Sequence, residues 1–227
     1  MSNIKFKKEN VLIIGDPHEP FTEGGYIDFC LGVKKDRKCG TVLIIGDLVD
    51  SYQISLRDLD PNSISARDEI ILARKHLKEW FKAFPYAKLT LGNHDLRIYK
   101  KASKHGIPEM CMRTFSEIWE IPKRWEVSYE FIINDVLYNH GFSATKNAAI
   151  TSAIYNRMST VQGHGHTTAT IAYSASPRDC IFGMSVGTGI DRSAMAFSYG
   201  MGFKEKPIVS CGTVENGRNP HIHTMSL

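Results

Sequence analysis

Short apolar runs closed by glycine and an acid or amide punctuate the first ninety or so residues. Val11 to Ile14 ends at Gly15-Asp16, Thr41 to Ile45 at Gly46-Asp47, and Lys88 to Leu91 at Gly92-Asn93. The first two runs, bounded by turn residues, predict strands buried on both faces, and Lys88 to Leu91 predicts a short third strand. Between them the period changes. Over Tyr26 to Lys38, Tyr26, Phe29, Cys30 and Val33 share one helical face, with Gly40 just past the end. Ile70, Ala73, Leu77, Trp80, Phe81 and Phe84 also repeat at helical spacing, and Pro85 stops them. Ser65 with Asp68 predicts a capping box at the start of that helix. A polar loop, Ser51 to Ile64, precedes it and contains Asp60-Pro61-Asn62.

The pattern shortens afterwards. Leu96 to Lys104 and Met112 to Trp119 predict two helices, bounded by Pro108 and Pro122. Trp125 to Ile133 and Val136 to Asn139 predict a hairpin around Asn134-Asp135. Asn147 to Met158 is expected to be helical, and Thr160 to Gln162 leads into Gly163-His164-Gly165-His166. From Thr167 onward only short strand-like runs remain, clearest at Ile181 to Val186 and Pro207 to Val214. Strand and helix alternate first and strands follow, so the expected fold is an α/β sandwich of two mixed sheets flanked by helices. Without repeats or linker-like stretches, residues 1–227 are expected to form one domain.

Composition narrows the classes. Apolar residues make up 42% of the chain and charged residues 23%, values of an ordinary globular protein. No apolar run nears the roughly 20 residues of a membrane span. Val11 to Ile14 is too short for a signal-peptide core, so the expected compartment is the cytoplasm and no membrane partner is expected. The five cysteines are scattered, with no metal-knuckle or redox spacing. Net charge is +4, gathered at Lys5 to Lys8, Lys34 to Lys38, Arg97 to Lys104 and Lys123-Arg124. Those clusters suit an anionic substrate or nucleic acid, and they suit solvated helix faces equally well.

Candidate chemistry sits in five motifs: Asp16-Pro17-His18, Gly46-Asp47-Leu48-Val49-Asp50, Gly92-Asn93-His94-Asp95, His140-Gly141 and Gly163-His164-Gly165-His166. Together they offer carboxylate, imidazole and amide donors for metal. Asp16 and His18, two apart, fall on one face of an extended chain. The two oxygens of Asp47 can bridge a pair of cations, while Asp50 is expected to cap a turn or orient a neighbour. Gly92 permits close approach before Asn93, an amide-oxygen ligand. His94 is left to touch a substrate oxygen, with Asp95 expected to hold its tautomer. A glycine between His164 and His166 leaves a ligand sphere uncrowded. His76, His105, His221 and His223 lack such company and are read as structural or solvated.

In this order the motifs resemble those of the calcineurin-like metallophosphoesterase superfamily, over residues 16–166. The resemblance implies a four-layer α-β-β-α sandwich. It implies that Asp16, His18, Asp47 and His166 bind one divalent metal and that Asp47, Asn93, His140 and His164 bind a second, with Asp47 bridging. It further implies that His94 serves the leaving group and Asp95 orients His94. The expected reaction is hydrolysis of a phosphomonoester or phosphodiester by a metal-bound hydroxide, attacking in line without a covalent intermediate. Mixed nitrogen and oxygen donors suit manganese first, with iron, zinc or nickel as alternatives. The substrate partner is a phosphoester, with nucleotides and nucleic acid among the candidates. Rival expectations are a DNA nuclease of the break-repair type, a protein phosphatase and a metal-stabilised binding scaffold without turnover.

Overall fold

A computed structural model gives the fold and describes residues 9–55, 63–193 and 205–226. The basic Lys5 to Lys8 run and the Asp60-Pro61-Asn62 turn lie outside the described residues. Strands β1 (Asn10–Ile14), β2 (Cys39–Ile44), β3 (Ala87–Thr90) and β4 (Trp125–Ser128) run parallel in one sheet. Strands β5 (Glu130–Ile133), β6 (Val136–Asn139), β7 (Ser159–Gln162), β8 (Ala169–Ala175) and β9 (Cys180–Val186) make the second. The chain then returns to the first sheet with β10 (Ser210–Glu215) and β11 (Asn219–Thr224). The strand orders are β11-β10-β1-β2-β3-β4 and β5-β6-β7-β9-β8, each mixing parallel and antiparallel pairs.

Side-chain alternation explains the unbroken apolar runs Val11 to Ile14 of β1 and Val42 to Ile44 of β2. Leu12, Ile14, Val42 and Ile44 face one cluster, shared with Tyr26 and Cys30 of α1 (Tyr26–Asp36) and with Leu77 and Trp80 of α2 (Ala66–Ala83). Val11, Ile13, Leu43 and Ile45 face the other, against Tyr138, Val161, Met184 and Val186 of the second sheet. Successive residues thus serve two cores. Helix α5 (Ala148–Asn156) covers the far face of the second sheet, so close to β9 that a Cβ on Gly183 would overlap its backbone at Ala149 and Ile150. The layers are therefore α-β-β-α, as expected.

The helices match their sequence signals. Ser65 caps α2 by accepting from the Asp68 amide at 3.1 Å, and α3 (Arg97–Lys104) and α4 (Phe115–Ile118) fall inside the expected segments. One expectation fails. Trp125 to Ile133 is not one arm of a hairpin, because the chain changes sheets at Tyr129. Trp125 is buried in the first core and donates to the Phe84 carbonyl at 2.8 Å, while β5 turns back onto β6 through Asn134 and Asp135, both at positive φ. Local alternation carries no record of which partner a strand pairs with.

The segment after His166 completes both sheets and props the loops beneath them. The Thr188 hydroxyl and the Gly189 amide both donate to the Asp16 carbonyl, and the Ile208 amide donates to that of His166. Among the described residues no helix is long and apolar enough to cross a membrane, and the five cysteines are free thiols.

Candidate metal centre

All five motifs begin immediately or within two residues after a strand: β1, β2, β3, β6 and β7 deliver Asp16, Asp47, Asn93, His140 and His164. Parallel strands put these ends on one edge, the usual place for an α/β site. The loops are tight. His18, Asp47 and His164 adopt left-handed backbone at φ 56°, 45° and 63°. For residues with a Cβ such geometry costs about 1–3 kcal/mol and persists where the surroundings hold it, often at functional sites. A Cβ on Gly92 would overlap the Asp47 carboxylate, and one on Gly163 the Asp16 carboxylate. Gly165, the residue between the two histidines, has no such close neighbour. The uncrowding glycine is therefore Gly163.

The side chains converge into two groups that share Asp47. In the first, His18 Nε2 and His166 Nε2 face each other at 3.0 Å, His166 Nε2 lies 3.3 Å from Asp16 Oδ2, and His18 Nε2 lies 3.8 Å from Asp47 Oδ2. In the second, His140 Nε2 stands 3.0 Å from Asn93 Oδ1, 3.2 Å from His164 Nδ1 and 3.2 Å from Asp47 Oδ2. Asp16 Oδ1 and Asp47 Oδ2 are buried without a hydrogen-bond partner. Leaving a buried carboxylate oxygen unpaired is costly. Donors about 3 Å apart are what a common cation about 2.1 Å from each would impose at right angles. The residues fit a divalent cation in each group.

Outer contacts set the ring tautomers. His140 Nδ1 donates to the Ile45 carbonyl at 3.0 Å and His18 Nδ1 donates to Asp50 Oδ1 at 2.7 Å, so both rings turn Nε2 inward. Asp50 Oδ1 also receives His94 Nδ1 at 2.8 Å. His18, Asp50 and His94 form a third group of possible donors, but Asp50 Oδ1 is already engaged by both rings. Asp50 thus orients two neighbours, one of the two roles expected for it.

The expected pairing of Asp95 with His94 is corrected. Asp95 accepts from the Gly92 and Val49 amides at 2.8 and 3.2 Å, pinning two loops together, and the carboxylate against the His94 ring belongs to Asp50. Spacing suggested the adjacent acid, yet neighbours on a turn point apart while residues on different loops meet. Sequence reasoning also gave Arg97 only a place in a charge cluster, although its guanidinium contacts both Asp50 and His94. The remaining histidines stay outside the grouped residues: His76 Nδ1 meets Glu19 Oε2 at 2.9 Å, and His223 meets Thr213.

The electrostatics follow from burial and mutual charge. Burial opposes ionisation of Asp47, but His140, His94 and His18 around it hold its carboxyl well below the usual range. Burial and the neighbouring His94 push His18 down to about 4, so its ring is neutral at physiological pH. His140 is carried the other way, against burial, by Asp47 and Asp16, up to about 10. Burial and the Asp47 charge push Asp95 up to about 7.

Gly92→Ala should lower stability by about 1–3 kcal/mol, the usual cost of overpacking. Gly24→Ala, where a Cβ meets nothing within 4 Å, should change it little. Urea unfolding of both variants checks this, and equal midpoints would contradict the close approach at Asp47.

A family model described as calcineurin-like phosphoesterase matches residues 9–178. None of the curated proteins matches the chain. Among solved structures, a metallophosphoesterase from Sphaerobacter thermophilus is similar at 14% identity and TM-score 0.48, over 97% of this chain and 89% of that one. Yfce, a phosphoesterase from E. coli, is similar at 12% identity and TM-score 0.43, over 91% and 88%. A Vps29 single mutant from Entamoeba histolytica is similar at 11% identity and TM-score 0.40, over 96% and 99%.

Proposed function

The chain belongs to the calcineurin-like phosphoesterase family, and from that premise we propose that it hydrolyses phosphoesters with a pair of divalent cations sharing Asp47. The observation that carries this reading is the buried Asp47 Oδ2, which stands 3.2 Å from His140 Nε2 and 3.8 Å from His18 Nε2 and so is common to both donor groups. Asp16, His18, Asp47 and His166 hold one cation; Asp47, Asn93, His140 and His164 hold the other. When bound, the cations supply Lewis acidity and an activated water nucleophile at neutral pH. Asp50 fixes His18, and the Ile45 carbonyl fixes His140, so that each presents Nε2 inward. His94, outside both donor sets, serves the leaving-group oxygen. Asp95 holds the Gly92 and Val49 loops at their spacing. Nitrogen and oxygen donors without thiolate suit manganese, iron, nickel or zinc. The return of β10 and β11 to the first sheet supports one domain across residues 1–227.

The test is a panel of phosphomonoesters, phosphodiesters, nucleotides and DNA assayed with each of these metals. Absence of turnover with all of them, despite bound metal, would leave the scaffold reading. A nuclease is favoured by one observation: Arg97, Lys100, Lys101 and Lys104 line the helix that starts three residues after His94. DNA binding that weakens steeply with salt would support it.

Metal binding is also expected to displace a proton. With its pKa raised to about 10, His140 carries a proton on each ring nitrogen at neutral pH. A cation that takes Nε2 must remove one of them. Affinity should therefore rise with pH, by about tenfold per unit, until pH approaches 10. Calorimetric titration with manganese in buffers of different ionisation enthalpy should show about one proton released at pH 7.5. A heat independent of buffer would contradict the assignment.

A further inference from the structure

Arg97 opens α3 with its side chain only 19% exposed. Its Nη1 donates to the Asp50 carbonyl oxygen at 2.7 Å and lies 3.6 Å from Asp50 Oδ2. Its Nη2 lies 2.9 Å from His94 Nε2. A guanidinium has only donors and stays protonated, so His94 Nε2 is the accepting atom of this contact. The other ring nitrogen faces Asp50 Oδ1. The face of His94 that looks toward the shared carboxylate, with Nε2 3.9 Å from Asp47 Oδ2, is thus already occupied by an arginine.

This arrangement suits a site waiting for an anion. The guanidinium has more N–H donors than its two contacts use, and its planar fork matches paired phosphate oxygens. Its Nη1 contact to Asp50 is an anchor that can persist while Nη2 changes partner. Lys101, one turn on, is directed instead to the Ser55 carbonyl. Resting on the phosphoesterase reading, we propose that Arg97 is the phosphate-gripping residue of this site: Nη2 passes from His94 Nε2 to a non-bridging oxygen of the bound phosphoryl group, and the lone pair freed on His94 Nε2 takes a proton from solvent, which the ring then presents to the leaving oxygen. No bond to phosphorus changes in this step.

The test compares wild type, Arg97→Gln and Arg97→Lys, each loaded with manganese. Each is titrated calorimetrically with inorganic phosphate and assayed for kcat and KM on bis-p-nitrophenyl phosphate. Arg97→Gln should bind phosphate about 10–100-fold more weakly, the worth of a hydrogen bond to a charged group, and kcat/KM should fall at least as far. Arg97→Lys should lie between, because it keeps the charge and loses the fork. Manganese content should stay at the wild-type level in both. Wild-type phosphate affinity and kcat/KM in Arg97→Gln would overturn the assignment, as would a parallel loss of manganese in both variants. If wild type itself neither binds phosphate nor cleaves any ester, the phosphoesterase reading fails and the Arg97 proposal falls with it.

Discussion

Asp47→Asn is expected to strip both cation positions together and take activity to background. The substitution is nearly isosteric. Asparagine can keep the oxygen that accepts from the His94 amide at 2.8 Å, so the loop retains its tie. What disappears is the other oxygen and the charge. Of the seven proposed ligands, only Asp16 and Asp47 are carboxylates, the rest being neutral imidazoles and an amide. Half of the anionic ligand charge therefore goes with one atom, at the position common to both groups. Loss of an outer-shell partner alone costs about 10–100-fold in metal affinity, so a shared ligand should cost more than that at each position. Stability should report the same loss. At a metal concentration 100 times Kd, one site stabilises a protein by about 2.7 kcal/mol. Wild type should melt higher with manganese, whereas Asp47→Asn should melt at one temperature with or without it. Metal analysis distinguishes the alternatives: a variant retaining one manganese at wild-type affinity would show that Asp47 serves a single ion.

The legible parts of this site were those fixed by local chain geometry. Gly15-Asp16, Gly46-Asp47 and Gly92-Asn93 announce themselves because a buried strand must end in a turn, and a turn that admits another loop's carboxylate needs glycine. Gly92 against Asp47 is such a case. The same logic exposed β1 and β2, whose unbroken apolar runs have to fill two cores. What the sequence hid were relations between loops. Asp50 meets His94 across 44 residues, and Asp95, its sequence neighbour, turns to Gly92 and Val49 instead. The split of Trp125 to Ile133 between two sheets was hidden for a similar reason, since β-strand alternation looks the same whichever sheet receives it. Arg97 looked like one more surface cation because its i+3 relation to His94 puts it on the site only if the turn before α3 closes as it does.

His94→Ala should separate chemistry from metal binding. The ring lies outside both proposed donor sets, and its Nδ1 is held by Asp50 while Nε2 faces the site. Its removal should leave manganese content and affinity near wild type. A group that assists a leaving oxygen typically contributes about 10²–10⁴-fold, equivalent to about 2.7–5.4 kcal/mol of barrier. The loss should appear in kcat with little change in KM, as for an interaction made mainly in the transition state. It should also depend on the ester. A p-nitrophenolate leaves readily without help, so p-nitrophenyl esters should lose least, while alkyl esters, whose alkoxides are poor leaving groups, should lose most. Equal losses across that series would mean that His94 acts on the phosphoryl group or the nucleophile instead. Loss of manganese in step with activity would place His94 among the ligands, and the third group of donors, His18, Asp50 and His94, would then be the one to reconsider.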